Sequence, residues 1–175
     1  HRILIDCWSQ SRLFGEVLQH YANGQVAGDV GRYRDFIAWL AQQDHQALRG
    51  FWAQRLAQLD QPTSLSQAMH PRHDATETGH RALYSCWDAQ QTAAMQAWCR
   101  QQRITLNTLV QGAWLMVLQR FTGQRTVTFG ATVAGRPQSL AGADNMLGLF
   151  INTLPVIQTL EPSQPLAEWL LQLQA

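Results

Sequence analysis

The sequence predicts a mixed fold in which helices are layered on sheet, of the α/β or α+β kind. Stretches of helical period alternate with short β-rich runs, long helices lie between the strands, and no tight hairpin turn joins one strand run to the next. A length of 175 residues, 46% hydrophobic and 14% charged, supplies enough apolar material for the core of one globular domain.

In chain order, the opening run His1-Arg2-Ile3-Leu4-Ile5-Asp6-Cys7-Trp8-Ser9 reads as a buried strand that enters a turn at Asp6-Cys7. Strand alternation puts Arg2, Leu4 and Asp6 on one face and His1, Ile3 and Ile5 on the other. Ser9 is expected to cap a helix reaching about Tyr21, with Leu13, Val17, Leu18 and Tyr21 as its apolar stripe. Asn23-Gly24 stops that helix, and Gly28 and Gly31 mark a flexible connection. Tyr33-Arg34-Asp35-Phe36-Ile37-Ala38-Trp39-Leu40 begins a second helix, and Phe51, Trp52, Leu56 and Leu59 belong to a third.

Residues 61–80 are rich in Pro, Ser, Thr and His without a period, so they read as a loop. His70, His73, His80, Asp74 and Glu77 lie in it, but their spacing matches no regular metal-ligand pattern, and the solvated-loop reading is preferred. Residues 83–87 read as a strand ended by Asp88, which caps a helix over 89–102. Thr105 or Asn107 opens the next helix, whose Leu109, Val110, Ala113, Trp114, Val117, Leu118 and Phe121 are apolar nearly all round, as in a central buried helix. Gly123 ends it. A β-rich run over 126–133, a Gly135-Arg136-Pro137 turn, an apolar strand over 150–154 with Pro155 near its end, and a helix-like run over 166–173 complete the chain. Trp39, Trp52, Trp98 and Trp114 fall on helix faces with other apolar residues, which points to packing and away from base stacking.

Thirteen basic and twelve acidic residues, scattered along the chain, leave a formal net charge of +1 and no electrostatic case for nucleic acid or an anionic membrane. No apolar run approaches the roughly 20 residues needed to cross a bilayer. A cytoplasmic protein is expected. Three cysteines, Cys7, Cys86 and Cys99, are odd in number and never spaced as C-x-x-C, so they are read as reduced, buried thiols without zinc. The chain opens inside a strand and closes inside an apolar helical run, so it is expected to be a piece of a longer polypeptide.

The opening run resembles the His-His-x-x-x-Asp-Gly motif of nonribosomal peptide synthetase condensation domains, often continued by Trp-Ser as here. His1 and Asp6 occupy the first-histidine and aspartate places, Arg2 stands at the second histidine, and Cys7 at the glycine. The Tyr-x-Asp-Phe-x-x-Trp segment at Tyr33 is similar to one at the passage between the family's two lobes. Residues 107–114, the run 129–137 and Leu147-Gly148-Leu149-Phe150-Ile151-Asn152-Thr153-Leu154-Pro155-Val156 are family-like too, the last resembling Gly-x-Phe-x-Asn-Thr-x-Pro-Val. The resemblance implies a V-shaped, chloramphenicol acetyltransferase-like pair of lobes. Residues 1–32 would end the N-terminal lobe, and 33–175 would form an incomplete C-terminal lobe.

It also implies an activity: an acyl group held as a thioester on an upstream peptidyl carrier protein is transferred to the amine of an aminoacyl group on the downstream carrier. An adenylation domain would lie in the same polypeptide. Proximity of two tethered reactants and handling of one proton are the tasks of such a site. No metal or nucleotide is called for, and the phosphopantetheine arms belong to the carriers. The Trp-Ser and Phe-Ile-Asn-Thr-Leu-Pro runs look more like domains joining two L-configured residues than like epimerisation or heterocyclisation relatives.

The implied catalytic motif is His1, Arg2 and Asp6, supported by Trp8, Ser9, Arg136 and Asn152. Asp6 reads as structural both from its turn position and from the resemblance, which pairs it with the arginine of the Gly-Arg-Pro turn, Arg136. Asn152 reads as a buried, hydrogen-bonded strand residue. Arg2 raises the alternative of a degraded, carrier-docking module, because a guanidinium stays protonated and cannot accept the amine's proton. A stand-alone acyltransferase for a diffusible acceptor is a third reading.

Overall fold

The structure, a computed structural model, describes residues 4–25, 31–68 and 82–175. Two compact units form, one from the described residues up to Ala53 with Gly130–Pro155, the other from the described part of 54–129 with Val156–Ala175.

In the first unit, α1 (Cys7–Asn23) starts earlier than the sequence suggests, because Asp6 and not Ser9 is the cap: its carboxylate accepts the Ser9 amide at 2.7 Å. Ser9 is taken into the first turn and fully buried. Gly24 closes α1 at φ 69°, a left-handed conformation that costs glycine nothing. Leu4 and Ile5 are not in a strand, and residues 1–3 lie outside the described residues. The expected apolar stripe is also inverted. Leu13, Val17, Leu18 and Tyr21 remain exposed, whereas Ser9, Arg12 and Glu16 on the other side are buried or half-buried. The polar bonds that Ser9 and Arg12 make to the 145–148 segment decide which side of α1 faces inward.

Helix α2 (Tyr33–Ala41) packs Phe36 against Met146 and Phe150, with Tyr33, Trp39 and Leu140 around them. The Phe36 and Phe150 rings tilt against each other at 4.6 Å between centroids, within the range that favours aromatic pairs. Helix α3 (His45–Leu56) buries no residue and is capped by Asp44, which accepts the Gln46 and Ala47 amides at 2.9 Å.

The second unit contains α4 (Leu65–Ala68), α5 (Ala89–Gln102), α6 (Leu106–Thr122) and α7 (Leu166–Gln174). Cys99, Ile104, Leu115, Leu118, Val127, Trp169 and Leu170 form its buried core. Asp88 and Gln91 close a reciprocal capping box at the start of α5, and Thr105 caps α6. Gly112 lets α7 approach α6: a Cβ there would fall 2.3 Å from Leu170 Cδ2.

Helix α6 is not buried all round: Thr108, Gly112, Leu115 and Leu118 face the core, while Val110, Trp114, Met116, Val117 and Phe121 are exposed. Trp114 therefore lies outside the core, unlike Trp98 and Trp39. Of the thiols, only Cys99 is buried; Cys7 and Cys86 are exposed. Residues 83–87 form no strand, and Leu83 and Tyr84 are more than nine-tenths exposed; they do not join the β1–β2 sheet, so their β-type sequence has no ladder. A turn of helix, α4, interrupts the expected loop, and its His70, His73, Asp74, Glu77 and His80 lie outside the described residues.

Strands β1 (Thr126–Ala134) and β2 (Ile151–Thr159) form a two-stranded sheet. In the first unit Gly135 N donates to Phe150 O at 2.8 Å, and in the second Leu160 N donates to Arg125 O at 3.1 Å, an antiparallel order. Strand β2 continues past Pro155, beyond the expected end. Both strands of a pair are edge strands, where a proline without an N–H is tolerated. Among the described residues no helix is long and apolar enough to cross a membrane.

Candidate functional site

The buried polar centre of the first unit is Asp6, 5% exposed, beside Ser9 and Arg136. Position 6 ends the chain's approach to α1, so a carboxylate there meets the unsatisfied amides of the helix's first turn. Oδ1 accepts the Ser9 amide at 2.7 Å, and Oδ2 accepts the Phe150 amide at 3.1 Å. The Asp6 amide donates to Gly148 O at 3.2 Å. Ser9 Oγ donates to the same carbonyl at 2.8 Å and accepts the Gly148 amide at 3.1 Å.

Arg136 enters from the turn after β1. Its Nη2 donates to Ser9 Oγ at 2.9 Å and lies 3.5 Å from Asp6 Oδ1, with the two ionic side chains 8% and 3% exposed. Its Nη1 donates to Ala143 O and to Met146 O, the latter at 2.9 Å. The guanidinium also stacks on Phe150, 3.9 Å from the ring centroid. Gly135, just before it, has no room for a side chain, since a Cβ would sit 2.4 Å from Phe150 O.

Burial alone would push the Asp6 carboxyl up. The Ser9 amide and hydroxyl, the Phe150 amide and the Arg136 charge outweigh it, and the carboxyl is held below its ordinary value. A carboxylate engaged on both oxygens and stabilised as the anion is a poor proton acceptor. It is well suited to anchoring a helix start to a distant loop.

Trp8 is exposed and its Nε1 donates to Asp144 O at 3.4 Å. Asn152 is exposed, not buried, and its Oδ1 accepts the adjacent Thr153 amide at 2.8 Å. Residues 151–154 of β2 are all exposed. His1 and Arg2 lie outside the described residues. The structure thus joins Asp6, Ser9 and Arg136, but Asn152 makes its bond elsewhere. Residue reading misses Tyr33, whose hydroxyl donates to Leu149 O at 2.7 Å, and Gly148, whose Cβ would fall 2.0 Å from the Tyr33 ring. The available signal is a glycine ahead of Leu149-Phe150, a place where backbone and ring can touch.

The condensation domain family model matches residues 1–175. A linear gramicidin synthase of Brevibacillus parabrevis is 41% identical over 182 residues, which take in 99% of this chain and 4% of that protein. Chondramide synthase cmdD of Chondromyces crocatus is 34% identical over 181 residues, covering all of this chain and 5% of the relative. Among solved structures, the first condensation domain of the CDA synthetase matches with a TM-score of 0.71 at 22% identity, over 99% of this chain and 40% of that one. The X-domain from teicoplanin biosynthesis matches with a TM-score of 0.71 at 24% identity, over 99% and 41%. At these identities the structural likeness is one of fold. The chain spans a small share of the curated relatives' length and about two-fifths of the solved ones.

Proposed function

Because the chain belongs to the condensation domain family, we propose that it is part of an amide-forming acyltransferase acting between two carrier proteins in nonribosomal peptide synthesis. The observation that carries this reading is the family match over the whole chain. In the proposed reaction the amine of a downstream aminoacyl thioester attacks the carbonyl carbon of an upstream acyl thioester. The C–N bond forms, the C–S bond breaks, and the proton lost by the amine ends on the released thiol. The substrates arrive on phosphopantetheine arms of upstream and downstream peptidyl carriers, with an adenylation domain in the same polypeptide and the whole assembly in the cytoplasm. The domain itself calls for no cofactor or metal, since a thioester needs little activation.

Asp6, Ser9 and Arg136 serve in this reading as the anchor for α1, whose first residue, Cys7, follows His1-Arg2 after four intervening residues. Trp8 and Asn152 support the motif segments. Arg2 is the departure, because a guanidinium cannot take the amine's proton. It favours a second reading, a degraded domain that keeps carrier docking.

The test uses the full-length domain with both carriers loaded, beside a free amine acceptor. Product with loaded carriers supports amide formation on the assembly line. Product with the free amine alone indicates a stand-alone acyltransferase, and none with either indicates the docking module. Arg2→His is expected to raise the carrier-dependent rate. A fall would mean the arginine donates to the tetrahedral oxyanion, and the idea of a weakened site would be wrong.

A further inference from the structure

Residues 148–150 are held from two sides. Gly148 O receives the Asp6 amide at 3.2 Å and the Ser9 hydroxyl at 2.8 Å, Gly148 N donates to Ser9 Oγ at 3.1 Å, and Phe150 N donates to Asp6 Oδ2 at 3.1 Å. The intervening carbonyl, Leu149 O, goes instead to Tyr33, whose hydroxyl donates to it at 2.7 Å. Successive backbone groups thus serve opposite partners.

The Tyr33 ring makes a second contact with this segment. It meets Phe150 edge-on at 5.3 Å between centroids and lies so near Gly148 that a Cβ there would be 2.0 Å from Cδ2. The ring rests on the glycine backbone, and the hydroxyl reaches the next carbonyl. Tyr33 stands at the first position of α2, with Phe36 buried one turn on, so its own placement is fixed by the packing of that helix.

We infer that Tyr33 is a positioning residue of the Asp6 site: it clamps residues 148–150 so that the Phe150 amide and both backbone groups of Gly148 stay aimed at Asp6 and Ser9. It touches no reacting atom and acts through the backbone it holds. Its consequence for turnover rests on the amide-forming reading; its consequence for the site does not.

The experiment compares wild type with Tyr33→Phe, which keeps the ring and removes only the hydroxyl, in the full-length domain. Amide hydrogen exchange is followed at Gly148 and Phe150, with the α5 and α6 amides as the internal reference. One lost hydrogen bond of ordinary strength predicts exchange about fivefold faster at these two positions and no change at the reference amides. With loaded carriers, kcat should fall while KM for each carrier stays the same. Unchanged exchange at Gly148 and Phe150, or an equal rise throughout the domain, overturns the inference. If wild type makes no amide at all, the proposed function fails, and the exchange measurement still decides the role of Tyr33.

Discussion

Replacing Asp6 by alanine removes a carboxylate that caps α1, accepts the Phe150 amide and faces Arg136 at 3.5 Å. Breaking a buried pair by deleting one partner costs about 3–5 kcal/mol, because the other charge is left uncompensated. Arg136 is not abandoned entirely: it keeps Ser9 Oγ, Ala143 O, Met146 O and the Phe150 ring. The expected loss therefore sits near the lower end, about 3 kcal/mol, with the orphaned Ser9 and Phe150 amides as its main source. Urea unfolding of the full-length domain, monitored by tryptophan fluorescence, measures it, with Asp6→Asn beside it. Asparagine keeps one capping oxygen but neither the charge nor the second acceptor, so its loss should be smaller. A cost below about 1 kcal/mol for Asp6→Ala would refute the reasoning, because that is the scale of a solvated surface pair.

Since the folded Asp6 carboxyl lies below its ordinary value of 3.8, the stability it contributes is complete above that pH and is lost as pH falls toward the folded pKa; Asp6→Asn should flatten this acid limb of the pH–stability curve. Gly112→Ala puts a methyl group 2.3 Å from Leu170 Cδ2, and the overpacking of α6 on α7 should cost about 1–3 kcal/mol in denaturant unfolding, less the gain in helix propensity. Asp88→Ala breaks the capping box of α5 and should cost about 1 kcal/mol in the same assay.

Features whose causes lie within a few residues are legible in the chain alone. Gly24 and Gly123 end α1 and α6, Asp88 opens α5, and of the strand-like runs those over 126–133 and 150–154 become β1 and β2. Caps and left-handed stops bond to backbone one turn away, so their evidence is local. The order of the motifs likewise resembles that of the condensation family, whose model the whole chain matches.

Long-range contacts settle what local chemistry leaves equal. Asp6 and Ser9 are both good caps, and the choice between them follows from Arg136 and Gly148, more than a hundred residues away, which draw the Ser9 hydroxyl inward. The same bonds turn the polar side of α1 inward and leave Leu13, Val17, Leu18 and Tyr21 exposed, against the helical apolar pattern. Helix α6 is apolar on several sides, but only the side packed on α7 and its neighbours is buried, and periodicity cannot say which side meets a partner. Asn152 has the alternation of a buried strand residue, yet the residues around it on β2 lie uncovered. Burial depends on what lies across the chain in space, and no window of neighbouring residues contains that information.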